Sequence, residues 1–160
     1  VGGCCGTTPE HIAAIARALG AEPIPGLPHG LRLAQPQPLD QHPLLLSGAV
    51  EVQDAGSQHV AAFAAARPGE TVIDLCAGAG GKTLALAADM SGGDAPDGAA
   101  AGGRLIATDT DRARLQAMAP RLVRAGAEGV VETRLLNPNR EAEALADLEG
   151  RADLVLVDAP

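Results

Sequence analysis

The residues best placed to do chemistry lie in the stretch 71–83, TVIDLCAGAGGKT. A short apolar run containing an acid, Asp74, leads into a glycine-rich turn, and an alanine- and leucine-rich segment follows. That arrangement builds a nucleotide-type cofactor site at the carboxyl end of a parallel strand. Gly78, Gly80 and Gly81 let the backbone bend sharply and approach a ligand closely. A helix starting near Gly81 would aim its unpaired N–H groups at that ligand. Two later apolar runs end in acids, Asp109 and Asp158. In an open parallel sheet such strand ends line one crevice, where ligands bind. An acid at the second strand end can accept hydrogen bonds from both hydroxyls of a ribose.

Each of these residues also has a purely structural reading. Acids at strand ends can simply be solvated, and glycine turns also serve tight packing. A turn and two acids at three separate strand ends nevertheless point together to a nucleotide or adenosyl cofactor. Gly81, Lys82 and Thr83 fit the end of the phosphate loop GxxxxGK[ST], but Cys76 stands where its first glycine belongs. The glycines also miss the GxGxxG order, so ATP and NAD are both disfavoured. The interval from Gly81 to Asp109 exceeds the ~20 residues expected of a dinucleotide fold. The low-complexity stretch 91–103, SGGDAPDGAAAGG, accounts for the excess and is expected to be mobile.

The elements that must position these groups follow from periodicity and punctuation. Thr8, Pro9 and Glu10 predict a helix start, and Ile12, Ile15, Ala16 and Leu19 continue it to Gly20. Residues 22–43 are rich in proline and read as extended connection with one short strand at 30–34. A second helix is predicted over 54–67, with Ala55, Val60, Ala61, Phe63 and Ala64 on its apolar side and Pro68-Gly69 as its stop. Strands are predicted at 71–76, 104–108, 130–135 and 152–157, and helices at 81–90, 111–124 and 140–148. Leu115, Met118, Leu122 and Val123 should face inward, and Pro120 should kink or split its helix. Apolar strands alternating with helices imply an α/β fold with a parallel sheet covered on both faces.

Composition agrees with a globular chain: 46% of its 160 residues are hydrophobic and 20% charged. Phe63 is the only aromatic residue, so the core must be aliphatic. Lys and Arg number 12 against 20 Asp and Glu, a net charge of −8. That acidity argues against strong nonspecific nucleic-acid binding by this chain alone. No apolar run approaches the ~20 residues needed to cross a bilayer, and the N-terminus shows no signal-peptide pattern. Three cysteines, two adjacent, make no disulfide framework, so a cytoplasmic location is expected. The start at Val1 rather than Met and the stop at Pro160 after an apolar strand suggest a chain cut at both ends.

From about Pro25 to Pro160 the chain resembles the Sun-type bacterial RNA 5-methylcytosine methyltransferases, which act on ribosomal RNA. The residues that carry the resemblance are 51–58 (EVQDAGSQ), 74–83 (DLCAGAGGKT), Asp109 with Arg114 and Leu115, and 156–160 (LVDAP). Many members carry proline where this chain has Ala79. The resemblance implies a class I, Rossmann-like methyltransferase fold, truncated at the C-terminus, with S-adenosylmethionine as methyl donor. It divides the chain into an N-terminal leader and connector, 1–48, and a partial cofactor-binding domain, 49–160. Carried over by position, Cys76, Ala77, Gly78, Ala79, Gly80, Gly81 and Lys82 would surround the methionine part of the cofactor. Asp109 would hold the ribose, with Arg114 supporting it. Asn137 stands where the family commonly has an acid near the adenine. Asp158 would face the methyl end and the target base, as the catalytic residue.

The family's chemistry also has a physical logic. Carbon 5 of cytosine is a poor nucleophile until a thiolate adds at carbon 6. The resemblance places one such cysteine directly after the Asp-Ala-Pro motif and a second further on. Cys76 reads instead as a small packing residue of the turn. Cofactor binding without turnover is therefore expected of these 160 residues, with RNA as partner of the full-length protein, no membrane and no metal.

Residues 1–12, VGGCCGTTPEHI, resemble a different family: the end of the homocysteine-binding domain of cobalamin-dependent methionine synthase. There the adjacent cysteines and one distant cysteine bind zinc. Here only Cys4 and Cys5 are available locally, with His11 near in sequence, whereas a catalytic zinc site needs three protein ligands. A zinc-dependent homocysteine methyltransferase piece would require stoichiometric zinc. A non-catalytic nucleotide-binding module would show no preference for S-adenosylmethionine. His29, His42 and His59 have no carboxylate or cysteine at a telling spacing.

Overall fold

The structure is a computed structural model that describes residues 2–3, 8–91 and 103–159. Cys4, Cys5 and most of the low-complexity stretch lie outside the described residues, so the expectations of zinc binding and of mobility fall there. A short strand β1 (Gly2–Gly3) precedes helix α1 (Pro9–Leu19). Thr8 caps α1 by accepting the His11 N–H at 3.4 Å, and His11 Nδ1 accepts the Thr8 N–H at 3.3 Å. The His11 ring is thus engaged in a reciprocal cap.

Strands β2 (Ala21–Pro23) and β3 (Leu31–Leu33) form an antiparallel pair. The sequence reading has only the second of them, because Pro23 and its proline-rich surroundings mask the first. A four-residue helix α2 (Pro43–Leu46) and strand β4 (Val50–Glu51), which pairs with β1, complete this part. Ile12, Ile15, Leu19, Leu31, Leu39 and Val50 bury one small aliphatic core here.

Helix α3 (Ala55–Ala64) starts on Asp54, whose carboxylate accepts the Ser57 N–H at 3.2 Å. It ends three residues earlier than expected, at a left-handed Ala65. Its apolar side also differs from expectation. Gln58 and Ala61 are buried, whereas Phe63 is 92% exposed. Positions 58 and 61 share one helix face, and 60 and 63 lie on the opposite one. The face carrying Gln58 and Ala61 is the one turned to the helix that follows the glycine turn.

The chain then alternates strictly: β5 (Thr71–Asp74), α4 (Gly81–Met90), β6 (Arg104–Asp109), α5 (Arg112–Ala125), β7 (Val131–Leu135), α6 (Glu141–Leu145) and β8 (Leu154–Leu156). A single 3-10 turn, Ala146–Leu148, extends α6. These strands make a four-stranded parallel sheet in the order β7-β6-β5-β8. Alternate residues serve opposite faces. Val72, Leu105, Ala107 and Val131 pack under α4 and α5 with Leu86, Met118 and Leu122. Ile73 and Ile106 pack on the other face against Leu148 and Leu145.

Helix α5 runs as one helix through Pro120, so the helix is not split there. Pro120 and Gln116 are both on the exposed face. Water can therefore take the Gln116 carbonyl that loses its partner. Val123, expected inward, is 64% exposed, and the buried residues of α5 are Leu115, Met118 and Leu122. Among the described residues no helix is long and apolar enough to cross a membrane.

Candidate cofactor site

The chain winds outward from β5 through β6 to β7, then returns to the other side of β5 as β8. That reversal opens a crevice at the carboxyl ends of the strands. The path after β5 stays tied to both neighbours: Leu75 N–H donates to Leu156 O at 2.9 Å, and Ala77 N–H to Thr108 O at 2.8 Å. Gly80, at φ +88, turns the chain into α4 without a side-chain cap. A Cβ at Gly80 would sit 2.5 Å from Met118 Cγ, so only glycine permits the turn to press onto α5. The first N–H groups of α4 are left facing outward from the helix end.

Asp109 is buried at the end of β6, and each of its oxygens accepts a backbone N–H. Oδ2 takes that of Gly78 at 2.8 Å, and Oδ1 takes that of Asp111 at 2.8 Å. The carboxylate therefore clamps the glycine turn and the start of α5. Each oxygen keeps a further lone pair for a ligand. Asp111 in turn caps α5 by accepting the Ala113 and Arg114 N–H groups.

At the β8 end, Lys82 Nζ lies 2.5 Å from Asp158 Oδ2 and donates to Ser57 Oγ at 3.3 Å. Helices α3 and α4 and strand β8 thus converge on one ammonium group. Ser57 was not singled out from the sequence, although it lies within the quoted EVQDAGSQ segment.

A cavity of about 630 Å³ runs along these strand ends. Of the residues singled out from the sequence, Cys76, Ala77, Gly78, Lys82, Asp109, Arg114 and Asp158 line it. Ala79, Gly80, Gly81 and Asn137 are not part of its wall. The Ala79 carbonyl faces α5 and accepts from Arg121 Nη1 at 2.5 Å. Gly81 borders a separate cavity between α3 and α4. Asn137 is exposed, one residue past the lining Leu136. Thr110, Glu141, Ala142 and Leu145 complete the wall at the β7 end.

Arg121 is a second residue that sequence reasoning missed. Its Nη2 donates to Glu51 Oε1 at 3.1 Å, and Arg124 Nη2 donates to Glu51 Oε2 at 2.8 Å. One carboxylate on β4 thereby holds two arginines of α5, and one of these holds the turn. The only hint in the sequence is that Glu51 opens the EVQDAGSQ segment. Among the described residues no group of three or more His, Cys, Asp or Glu could hold a metal ion.

Asp74 lies beneath the turn, 1% exposed, accepting the Thr83 hydroxyl at 2.7 Å on Oδ2, with Oδ1 unpartnered. Burial pushes its carboxyl above the usual carboxylate range, partly offset by the Thr83 hydroxyl and the Lys82 ammonium. The folded chain thus holds this proton more firmly than the unfolded chain does. The contribution favours folding at pH below the ordinary carboxyl value and is lost as pH rises through the raised one. Asp74→Asn, which cannot ionise, is expected to flatten the fall in stability over that rise. Urea midpoints across pH check it: parallel curves for wild type and variant would mean that Asp74 titrates alike in both states.

The chain is 34% identical over 138 residues, 86% of its length, to ribosomal RNA small subunit methyltransferase B of Salmonella arizonae. Most of the chain resembles a ribosomal RNA methyltransferase. It spans 29% of that relative's length. A methyltransferase homologue protein from Pyrococcus horikoshii matches all of this chain and 51% of its own, with TM-score 0.73 and 25% identity. NSun6 from Pyrococcus horikoshii, solved with SFG, matches 82% of this chain and 32% of its own, with TM-score 0.60. At 24% identity that likeness speaks to fold alone. The fold is the Rossmann-like one of class I methyltransferases, as expected from the sequence. The homocysteine S-methyltransferase family model matches residues 1–19 only.

Proposed function

We propose that this chain is the S-adenosylmethionine-binding part of an RNA (cytosine-5) methyltransferase that acts on ribosomal RNA in the cytoplasm. The observation that carries the reading is the placement of a glycine turn and two carboxylates on three adjacent strand ends. Across the sheet the order is Asp158 after β8, the turn after β5, Asp109 at the end of β6 and Leu136 after β7. With neighbouring strands about 4.8 Å apart, that row spans about 14 Å, the scale of an extended adenosyl amino acid. The cavity volume of about 630 Å³ suits a cofactor of that size.

The residues present fit the group. Cys76, Ala77, Gly78 and Lys82 would surround its methionine part, with Ala79, Gly80 and Gly81 forming the back of the turn. Asp109 would accept from the ribose hydroxyls, with Arg114 beside it, and Asn137 would lie near the base. S-Adenosylmethionine supplies the methyl group. Asp158, held by Lys82, would face the target base, where a carboxylate can accept from the amino group of cytosine. That makes Asp158 the catalytic residue of this reading. None of Cys4, Cys5 and Cys76 is assigned as the nucleophile, so the 160 residues are expected to bind the cofactor without methyl transfer. Residues 49–160 form the cofactor-binding unit and 1–48 its leader and connector. RNA is the partner of the whole protein, and no metal takes part.

Calorimetric titration with S-adenosylmethionine, against ATP and NAD, tests the reading. Selective binding of S-adenosylmethionine is expected. Equal binding of all three would favour a general nucleotide-binding module. No binding by a chain that circular dichroism shows to be folded would overturn the proposal.

A further inference from the structure

We propose that Glu141, at the start of α6, is the residue that selects adenine in this crevice, by accepting a hydrogen bond from the exocyclic amine. The inference rests on the cofactor reading above and adds to it the group that reads the base. The order of the strands sets where the base must lie. With Asp158 at the β8 end and the ribose at Asp109 on β6, the next position along the row is the end of β7. There the wall is formed by Leu136, Ala142 and Leu145, apolar side chains that suit the faces of a flat ring, and by Glu141. Glu141 is the carboxylate of that end, and Asn137 stands exposed outside the wall.

The local backbone holds Glu141 in place. Asn139 adopts φ +66 and the Arg140 N–H closes a turn onto Asn137 O at 2.9 Å. The Asn139 N–H then donates to Glu141 Oε1 at 3.1 Å, which orients the carboxylate. Oε2 takes no bond among the described residues. The cation next to it in sequence does not neutralise it, because Arg140 is paired with Glu143 at 2.6 Å. A half-buried carboxylate with one oxygen tethered and one free is a pure acceptor. Adenine presents a donor amine at its position 6. Hypoxanthine presents a carbonyl oxygen there, which meets the carboxylate as acceptor against acceptor. A site built to bond an N–H rejects the analogue that lacks it more strongly than a shape-matched apolar pocket could.

The experiment compares S-adenosylhomocysteine with S-inosylhomocysteine by calorimetry on the whole chain. Wild type is expected to prefer the adenosyl compound by roughly ten- to hundredfold, the scale of a hydrogen bond to a charged group. Glu141→Gln should erase most of that preference, since the amide can donate to the inosyl oxygen. Glu149→Gln, at an exposed carboxylate outside the cavity wall, should keep it. An undiminished preference in Glu141→Gln, with adenosyl binding intact, would overturn the role of Glu141 while leaving the cofactor reading standing. Binding of neither compound by the folded wild type would overturn the cofactor reading, and this inference with it.

Discussion

Asp109→Ala is expected to weaken binding of S-adenosylmethionine by about 1.5–3 kcal/mol, the scale of lost hydrogen bonds to a charged group. The carboxylate has two tasks, and alanine ends both. Under the proposed reading its outward lone pairs are the acceptors offered to the ribose. Its bonds to the Gly78 and Asp111 N–H groups, both 2.8 Å, fix the glycine turn against the start of α5. Losing the clamp lets the turn relax, so the stability of the empty chain should fall as well. Calorimetry gives the first effect and urea denaturation the second. Unchanged affinity in the variant would remove the ribose assignment. Cys76→Ala is the matching control. Cys76 lines the same cavity, and the proposed reading gives its side chain only a packing role, so the variant should keep substantial binding.

Gly48→Ala is expected to cost about 3 kcal/mol or more in stability, from overpacking added to the left-handed backbone penalty. Gly48 sits at φ +77, and a Cβ there would land on the carbonyl oxygen of Arg124 and 2.5 Å from its carbon. The obstacle is the backbone of the last turn of α5, which cannot swing aside as a side-chain tip can. Relief requires the segment before β4 to move away from α5. That movement would pull Glu51 from Arg121 and Arg124, and Arg121 from the Ala79 carbonyl. Gly126→Ala is the comparison: φ is +67, but no atom lies within 4 Å of its Cβ. Its cost should be nearer 1 kcal/mol, the conformational penalty alone. Urea midpoints at constant slope measure both variants. Equal losses would mean that the close approach of Gly48 to α5 carries no cost.

These two variants mark the boundary between what was legible in the residues and what was not. Helix α4 covers Gly81–Met90, as its glycine start and aliphatic spacing predict. The Thr8 cap and the Gly20 stop of α1 are equally local features. The strand ends carrying Asp109 and Asp158 follow from apolar runs broken by an acid. Phe63 faces water rather than the core, because periodicity in an alanine-rich helix barely separates one face from the other. The partner helix meets the face carrying Gln58 and Ala61 and leaves the ring in water. Pro120 does not split α5, because a missing N–H is costly only where water cannot replace it. Of the pair β2 and β3 only β3 is legible in the sequence, because prolines hide a strand whose first residue, Ala21, pairs with Leu33, twelve positions along.

The periods of the elements, the turn that needs glycine, and the residue types at each strand end can be read from the chain alone. Those depend on neighbours within a few residues, where backbone sterics and side-chain spacing decide the outcome. The folded chain is needed to bring Asp109 onto Gly78, Lys82 onto Asp158 and Glu51 onto Arg121. It also placed Glu141, rather than Asn137, in the wall of the cavity. The first three contacts join residues far apart in the chain, and all depend on the strand order β7-β6-β5-β8 and the way the helices cover it. Local physics leaves that order open, because any of these apolar strands could pair with any other. Burying both faces of the sheet at once is what selects it.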